Sequence, residues 1–390
     1  MVSCQVQGGL EMLTQAIEEY LVWMISTGYR SNTWMRTEKI LGNFNCFVQR
    51  RKIPWPAMFT CSVLSSFENE HKMAHTGECI RGLWRYLYQQ GKINEPLKKK
   101  KPLPDIYEEY LRYYGDRVLP DSVQSARWTL TALNKYLKEN ALTIAGIKIG
   151  DLDTFLALFT VSFTPEVRRD KRYHLRGFLG YLYERKIIKK EIAPLLTGPP
   201  LFAQAKPPKF LRPHEVHRLF ERSKPTTTRQ IRTYAMLYLA YTLGLRPKEI
   251  SLLSLDDISF SKKEVRIGNR KNTLPMTLPL PEDTIKAIAA YIVGVRPKSD
   301  YRTLFLSLRA PYAPLCRANV VQTITRGMRR AQVPGSSYWL RHTYAKNLLE
   351  QGASVFEIKE MLGHECLQST ENYLHVHITQ MREVLLDETL

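Results

Sequence analysis

The stretch "LGLRPKEISLLSLDDI", residues 243–258, carries the signals for one helix to end and another to begin within a few residues. Gly244 suits the left-handed backbone position that closes a helix, and Pro247 suits the first turn of the next one. Arg246 is therefore predicted at a corner beside a helix N-terminus, where the helix dipole disfavours a cation but favours a bound phosphate. An isolated arginine at such a corner is also typical of an ordinary surface residue, and both interpretations stay open.

After this corner the hydrophobic pattern changes from helical spacing to alternation. The segment "KEVRIGNRKNTLPMTLPLP" (263–281) is rich in β-branched residues and has turn residues at "GNRKN", which together predict a β-hairpin. Helical patterns precede it in "FLRPHEVHRLFERSK" and "TYAMLYLAYTLG", and they resume after "LFLSL". The segment from about residue 208 onwards is thus predicted to be mainly helical with one small sheet.

A further helix is predicted within "GSSYWLRHTYAKNLLEQGAS" (335–354), with Gly352 as its C-terminal cap. Its predicted apolar face holds Leu340, Tyr344, Leu348 and Leu349. Tyr338 and Arg341 are three positions apart, so they project from one face and can address one ligand. His342 points elsewhere, and we interpret it as a half-buried packing residue.

The stretch "IKEMLGHECLQSTENYLHVH" (358–377) places a histidine directly after a predicted helix end. Gly363 stops the helix and fixes His364 just beyond it. Tyr373 follows nine positions later, on a short predicted helix. This pair alone proves little about function.

Charge is the most unusual property of the whole chain of 390 residues. Lysine and arginine total 57 against 37 aspartate and glutamate, a formal net charge of +20. Such an excess attracts polyanions, with nucleic acid the first partner to consider and an anionic membrane the second. The sequence lacks an apolar run of about 18 residues and a targeting pattern at its start, so a cytoplasmic protein is expected.

Six cysteines are scattered along the chain without CxxC or HxxxH spacing. This spacing argues against structural zinc and against a disulfide framework. We interpret the cysteines as reduced thiols that mostly fill the core.

Two proline- or lysine-rich segments, "EPLKKKKPLP" (95–104) and "TGPPLFAQAKPPKF" (197–210), lack helical periodicity and are predicted to be linkers. The first contains a run of four cations, Lys98, Lys99, Lys100 and Lys101. Such a run is either a solvated tether or a set of contacts to a phosphate backbone.

The two segments before the second linker share sequence blocks. "EEYL" occurs twice with an offset of 90 residues. "RG", three intervening residues and "YLY" also occur twice, with an offset of 95. Each segment is predicted to be a small bundle of amphipathic helices. The predicted domains are residues 1–97, 103–198 and 208–390.

Five blocks of the last segment, taken together, resemble a known family. "GLRPKEI", a basic hairpin turn, "LRHTYAKNLLEQG", "LGHE" and "TENYLH", in this order, resemble the catalytic domain of the tyrosine recombinases, the phage-integrase family. The resemblance covers about residues 208–380. The repeated helical units resemble the core-binding domains with which these enzymes clamp DNA, although the family usually has one such unit. The implied fold is mainly α with a small antiparallel sheet in the catalytic domain.

The resemblance implies a role for each matched residue. Tyr373 would be the nucleophile that forms a 3′-phosphotyrosyl link, and covalent capture conserves the phosphodiester energy, so joining needs no ATP. Arg246 and Arg341 would hold the non-bridging oxygens as charge builds in the transition state. His364 would add a hydrogen bond to the same phosphate.

In the hairpin, Lys271 matches the lysine that protonates the leaving 5′-oxygen in this family. Arg270 and Lys263 are local competitors, but the spacing from Lys271 to Pro279 fits the family pattern better. Arg270 is also a candidate DNA contact.

One position departs from the family pattern. The family usually has histidine three residues before the second arginine, whereas this chain has Tyr338. A tyrosine with an ordinary pKa near 10 is a poor general base at pH 7. The departure leaves open a slower enzyme, a different base or an inactive copy, and we favour an active enzyme because the other matched residues are all present.

Three more arginines, Arg326, Arg329 and Arg330, lie on the predicted helix "RANVVQTITRGMRRAQV". They are either phosphate contacts or part of a solvated helix face.

The sequence thus predicts a site-specific recombinase or integrase of a mobile element or phage, acting on double-stranded DNA without a metal or other cofactor. The resemblance also implies a homotetramer on paired sites, possible partners among related recombinases, and a C-terminal tail that docks on a neighbouring protomer. The alternatives are a catalytically weak or inactive DNA-binding relative and a type IB topoisomerase-like enzyme.

Overall fold

The computed structural model describes residues 2–71, 74–94, 103–198, 209–268 and 275–363. Leu97–Ala203 form one compact unit, and Met1–Pro96 together with Gln204–Leu390 are grouped in a second. Within the described ranges, no helix combines the length and the apolar character needed to cross a membrane. Helices dominate, with one small antiparallel sheet, and the predicted fold class is confirmed. The division into three domains stays a prediction.

The N-terminal bundle consists of five helices. They are α1 (Val2–Ser26), α2 (Ser31–Arg50), α3 (Trp55–Met58), α4 (Cys61–Glu70) and α5 (Thr76–Gln89). Its core is aromatic, because Phe44, Phe47 and Phe67 are all buried and meet at ring distances of 5.2 to 6.4 Å.

The second bundle consists of four helices and a short 3₁₀ turn. They are α6 (Asp105–Gly115), α7 (Pro120–Glu139), α8 (Ile149–Phe159), α9 (Pro165–Glu184) and the turn Ala193–Leu195. Pro120 and Pro165 each occupy the first helical position, where a missing N–H costs nothing.

The two bundles repeat one close contact between a tyrosine and a glycine. In the first, a Cβ atom at Gly82 of α5 would overlap the hydroxyl of Tyr20 on α1. In the second, a Cβ atom at Gly177 of α9 would lie 2.7 Å from the hydroxyl of Tyr110 on α6. These are the tyrosines of the two "EEYL" blocks and the glycines of the two "RG" blocks, so the repeated sequence encodes a repeated helix contact.

A second pair of rings repeats as well. The ring centroids of Tyr20 and Tyr86 are 5.3 Å apart, and those of Tyr110 and Tyr181 are 5.4 Å apart. Tyr86 and Tyr181 are the first residues of the two "YLY" blocks. The two bundles therefore share one packing plan, as the repeated blocks predicted.

Between residues 209 and 363, the described part of the C-terminal segment holds seven α-helices and the sheet. The helices are α10 (Pro213–Arg222), α11 (Thr228–Thr242), α12 (Pro247–Leu252), α13 (Glu282–Gly294), α14 (Arg317–Arg330), α15 (Ser337–Glu350) and α16 (Val355–Leu362). Helix α11 is central and packs against α13, α14 and α15. Its Leu237, Leu239 and Ala240 are fully buried.

The sheet has three antiparallel strands in the order β1 (Ile258–Ser259), β2 (Glu264–Ile267) and β3 (Met276–Pro279). Val265 pairs with Leu278, and both are buried against the helices. The alternation of apolar and polar residues in the sequence therefore corresponds to paired strands, and the predicted hairpin is confirmed.

Helix α15 serves two clusters of apolar residues. Leu340 joins the main core, whereas Tyr344, Leu348 and Leu349 pack with α16 around Ile358 and Leu362. The single apolar face predicted for α15 is thus shared between the core and the following helix.

The prediction that cysteines mostly fill the core is wrong for those that the structure describes beyond α1. Cys46, Cys61 and Cys316 are exposed, and Cys79 alone of these four is buried. Cys316 precedes α14 and its thiol donates to Asn319 Oδ1 at 3.0 Å, so it caps the helix instead of packing.

Candidate active site

The helix corner predicted at residues 243–247 is confirmed. Gly244 has φ of +60°, and Pro247 is the first residue of α12. A Cβ atom at Gly244 would lie 2.5 Å from the ring of Tyr344 on α15. Both the backbone conformation and this close approach therefore require glycine here.

Arg246 precedes α12 and is held by Glu249 of the same helix. The backbone N–H of Arg246 donates to Glu249 Oε2 at 2.7 Å, and its Nη1 donates to Oε1 at 2.8 Å. Glu249 is almost completely buried, whereas about a quarter of the Arg246 side chain, 26%, stays exposed. The buried carboxylate compensates the cation that the helix dipole alone would disfavour.

Arg341 of α15 lies on the other side of the same carboxylate. Its Nη1 is 3.9 Å from Glu249 Oε2 and donates to the carbonyl of Gly244 at 2.6 Å. Its Nη2 donates to the carbonyl of Leu362 at 2.5 Å. Only 4% of the Arg341 side chain is exposed. One guanidinium therefore links the α11–α12 corner to the end of α16.

The end of α16 is the third part of the site. Gly363 adopts φ of +62° and its N–H donates to the carbonyl of Glu360 at 2.9 Å, as the predicted helix stop requires. The carbonyl of Gly363 accepts from Arg246 Nη2 at 3.0 Å. Arg246 and Arg341 thus donate to the consecutive carbonyls of Gly363 and Leu362.

Several predicted site residues lie outside the described residues. They are His364, Tyr373, Lys271, Arg270, Lys98, Lys99, Lys100 and Lys101. The competitor Lys263 is described, and it lies just before β2, at the opposite end of that strand from the connection that contains Lys271.

Glu249 is a residue of the candidate site that the sequence reasoning missed. It occupies the third position of α12, the place where a glutamate commonly accepts from the backbone N–H that precedes a helix. The signal was present in "RPKE", but only the tertiary fold brings the second arginine to the same carboxylate.

Tyr338 lies at the start of α15 with 38% of its surface exposed. Its hydroxyl is 3.5 Å from a guanidinium nitrogen of Arg317, the first residue of α14. Tyr338 and Arg341 therefore differ in surroundings, since one is exposed beside Arg317 and the other is buried beside Glu249. No pattern in the sequence pointed to Arg317.

His342 is a half-buried packing residue, as predicted. Burial, with a smaller contribution from the neighbouring charge of Arg341, lowers the pKa of His342 to about 4. The imidazole is therefore neutral at pH 7.

The other described candidates lie on the surface of α14, where Arg326, Arg329 and Arg330 are all exposed. Across the described ranges, no three His, Cys, Asp or Glu side chains come together as metal ligands.

The geometry suits the binding of an anion. A guanidinium carries five N–H donors, and Arg246 uses two of them in the bonds described above. A phosphoryl group at its exposed edge would meet forked, charge-assisted donors held in place by a buried carboxylate. The described residues thus bring together two arginines and one buried carboxylate, and Arg246 keeps an exposed edge.

Comparison with known proteins identifies relatives of this chain. Residues 209–380 match the model of the phage integrase family. Tyrosine recombinase XerD of Staphylococcus haemolyticus is 30% identical over 216 residues, which cover 54% of this chain and 72% of that protein. Tyrosine recombinase XerC of Caldanaerobacter subterraneus is 28% identical, over 72% of this chain and 86% of that protein.

Solved structures extend the likeness to nearly the whole fold. The XerH site-specific recombinase, solved in a post-cleavage complex with a palindromic difH substrate, matches 96% of this chain and 96% of its own. The TM-score is 0.57 at 15% sequence identity, a level at which the likeness shows the fold.

Proposed function

Because the chain belongs to the phage integrase family and is a site-specific tyrosine recombinase, we propose that it cuts and rejoins DNA strands through a covalent bond to Tyr373. One observation carries this proposal. Arg341 donates to the carbonyl of Leu362, the last residue of α16, and Arg246 to that of Gly363, and the next residue in the chain is His364. Two arginines from distant parts of the sequence thereby meet at the two residues that precede His364 in the chain.

In the proposed cleavage step, the phenolic oxygen of Tyr373 attacks the scissile phosphorus. The new bond is a 3′-phosphotyrosyl ester, and the bond from phosphorus to the 5′-oxygen breaks. Lys271 gives a proton to the departing 5′-oxygen, which becomes a hydroxyl. The reverse step, with a 5′-hydroxyl from a second strand, rejoins the DNA and releases Tyr373, so the number of phosphodiester bonds is conserved.

Arg246 and Arg341 would stabilise the negative charge that develops on the non-bridging oxygens. Removal of one such preorganised donor typically costs about 10²- to 10³-fold in rate. Glu249 acts as a positioning residue in this proposal, because it holds Arg246 at two points and lies beside Arg341.

Tyr338 would act as a hydrogen-bond donor to the phosphate instead of a base. Its exposed hydroxyl beside Arg317 supports this role, since both groups are donors at neutral pH. The proton of Tyr373 would then pass to the phosphate or to water.

We also propose the partner and the assembly. The net charge of +20 supports double-stranded DNA as the substrate, held by the two helical bundles and the catalytic domain. The proposed chain has three domains, at residues 1–97, 103–198 and 208–390. It acts as a homotetramer on paired sites, in the cytoplasm.

The test uses a DNA substrate nicked just beyond the scissile phosphate, so that the short cleaved fragment diffuses away and the covalent complex accumulates. We expect wild type to form a protein–DNA adduct that survives denaturation, and Tyr373→Phe to form none. Tyr301→Phe is the matched control, because Tyr301 is an exposed tyrosine outside the site. Absence of an adduct with wild type, or an equal yield with Tyr373→Phe, would contradict the proposal.

A further inference from the structure

A cavity of about 360 Å³ lies between the start of α11, the segment 307–309 and α14. Five arginines line it: Arg229, Arg232, Arg309, Arg326 and Arg330. None of the described residues that line this arginine cavity is acidic. Two of the three α14 arginines named in the sequence analysis thus belong to the cavity, whereas Arg329 does not.

The charge of the arginine cavity is not compensated within the described part of the chain. Arg229, Arg309, Arg326 and Arg330 are exposed, and none of them forms an ion pair with a described carboxylate. Other arginines of the chain are paired, such as Arg127 with Glu108 at 2.5 Å. A cluster of like charges repels itself unless an anion enters, so the cavity favours a negatively charged ligand.

Arg232 supplies a second and independent observation. It is 92% buried, since its relative exposure is 8%, and its Nη1 donates to the carbonyl of Leu306 at 2.7 Å. Its Nε is buried without a hydrogen-bond partner in the described structure. An unsatisfied buried donor costs about 1 to 3 kcal/mol, more when charged, so the cation of Arg232 is incompletely compensated by the protein around it.

The cavity is extended along α14. Asn319, Gln322, Arg326 and Arg330 line it at spacings of three and four residues, which places them on one face of the helix. The eleven steps from Asn319 to Arg330, at 1.5 Å each, span about 16 Å. A row of this length suits a polymer with repeated negative charges better than one small anion.

The position of the row connects it to the proposed catalytic site. Helix α14 begins at Arg317, beside the hydroxyl of Tyr338, and the row of cavity residues leads away from that point. A DNA strand bound at the catalytic arginines could therefore continue along α14.

We propose that the arginine cavity binds the phosphate backbone of the DNA at a distance from the bond that is cut. The inference rests on the proposed function for the identity of the DNA, but it concerns binding alone. Arg326 and Arg330 hold phosphates in this proposal, while Arg329, their neighbour on the same helix, does not.

The test measures the affinity for an intact duplex as a function of salt, with Tyr373→Phe as the background so that cleavage plays no part. Each lost phosphate contact lowers the slope of log K against log salt by about 0.9. We expect Arg326→Gln and Arg330→Gln each to lower the slope by about this amount, and the double variant by about twice as much. Arg329→Gln is the control of equal charge and should leave the slope unchanged.

Three outcomes would overturn the proposal. If all three substitutions lower the slope equally, the arginines attract DNA through a diffuse electrostatic field and not through a binding site. Unchanged slopes for Arg326→Gln and Arg330→Gln would show that the cavity does not hold DNA. If these variants instead weaken association between copies of the chain, the ligand is an acidic protein segment.

A failure of this binding test leaves the adduct assay on nicked DNA unaffected, and the reverse also holds. Arg229→Gln provides a second variant on another helix, and equal thermal midpoints of all variants would show that each one folds. If the proposal is right, Arg229→Gln also lowers the slope, because Arg229 lines the same cavity.

Discussion

The carboxylate of Glu249 accepts two hydrogen bonds from Arg246, one from the backbone N–H at 2.7 Å and one from the guanidinium at 2.8 Å. The same carboxylate lies 3.9 Å from the guanidinium of Arg341. Two cations, one just before α12 and one on α15, therefore share one buried anion, with one net positive charge left. This arrangement holds both arginines in place and leaves positive charge at the partly exposed Arg246.

The first prediction concerns Glu249→Gln. The amide keeps one acceptor but removes the charge, which leaves Arg341 without its buried counter-ion. We expect the free energy of unfolding to fall by about 3 kcal/mol, as is typical when one partner of a buried ion pair is lost. Chemical denaturation at pH 7 measures this change.

The control for that prediction is Glu282→Gln. Glu282 pairs with Lys286 on the exposed surface of α13, where an ion pair contributes little. Equal stability losses in the two variants would show that Glu249 has no special structural part. We also expect slower adduct formation with Glu249→Gln alone.

The second prediction separates the possible roles of Tyr338. Tyr338→Phe removes a hydrogen-bond donor, and we expect adduct formation on nicked DNA to slow by about tenfold. Tyr338→His keeps a donor, so its rate should stay within about threefold of wild type or exceed it. A Tyr338→Phe rate equal to that of wild type would exclude a role for the hydroxyl.

The third prediction tests the repeated helix contact. Gly82→Ala and Gly177→Ala each place a methyl group against a tyrosine hydroxyl, and we expect each to lower the free energy of unfolding by about 1 to 3 kcal/mol. Adding Tyr20→Phe to the first, or Tyr110→Phe to the second, removes the obstructing hydroxyl. Each double variant should therefore lose less than the sum of its single variants.

Gly180→Ala is the control for this cycle. It lies on α9 as Gly177 does, but nothing lies within 4 Å of its added Cβ atom. Alanine should stabilise this helix position by about 0.5 to 1 kcal/mol. If Gly180→Ala lowers the free energy of unfolding as much as Gly177→Ala does, both effects come from the helix and not from the tyrosine contact.

The fourth prediction concerns pH. The pKa of His342 is lowered from an ordinary value near 6.5 to about 4, first by burial and then by Arg341. The unfolded chain therefore binds the proton more tightly, so the stability that neutral His342 contributes is present above pH 6.5 and is lost as the pH falls towards 4.

Denaturation curves at pH 7, 6 and 5 would measure this dependence. Between pH 7 and pH 5, we expect the free energy of unfolding of His342→Gln to fall less than that of wild type, by on the order of 1 to 2 kcal/mol. Burial also lowers the pKa of His174 to about 4. His174 therefore still contributes to the pH dependence of stability in the His342→Gln variant. His214→Gln changes an exposed histidine and is the control. Identical pH dependence of wild type and His342→Gln would contradict the prediction.

The sequence predicted local features because they depend on one or two residues with restricted backbone conformations. Gly244 and Pro247 set the helix corner, and Gly363 sets the helix end, all three as predicted. Alternation of apolar residues was enough for the hairpin of β2 and β3. The "EEYL" blocks indicated that the two bundles are alike, but not that Tyr20 packs on Gly82.

By itself, then, the sequence determined the helix corner at Gly244, the hairpin, the helix end at Gly363, the likeness of the two bundles and which residues match a recombinase. Tertiary structure alone decided that Glu249 lies beside both Arg246 and Arg341, and that Arg326 and Arg330 line a cavity that Arg329 does not. The physical reason is that helix ends and turns are fixed by contacts within a few residues. The charges that meet at a site are instead fixed by how distant helices pack around a buried core.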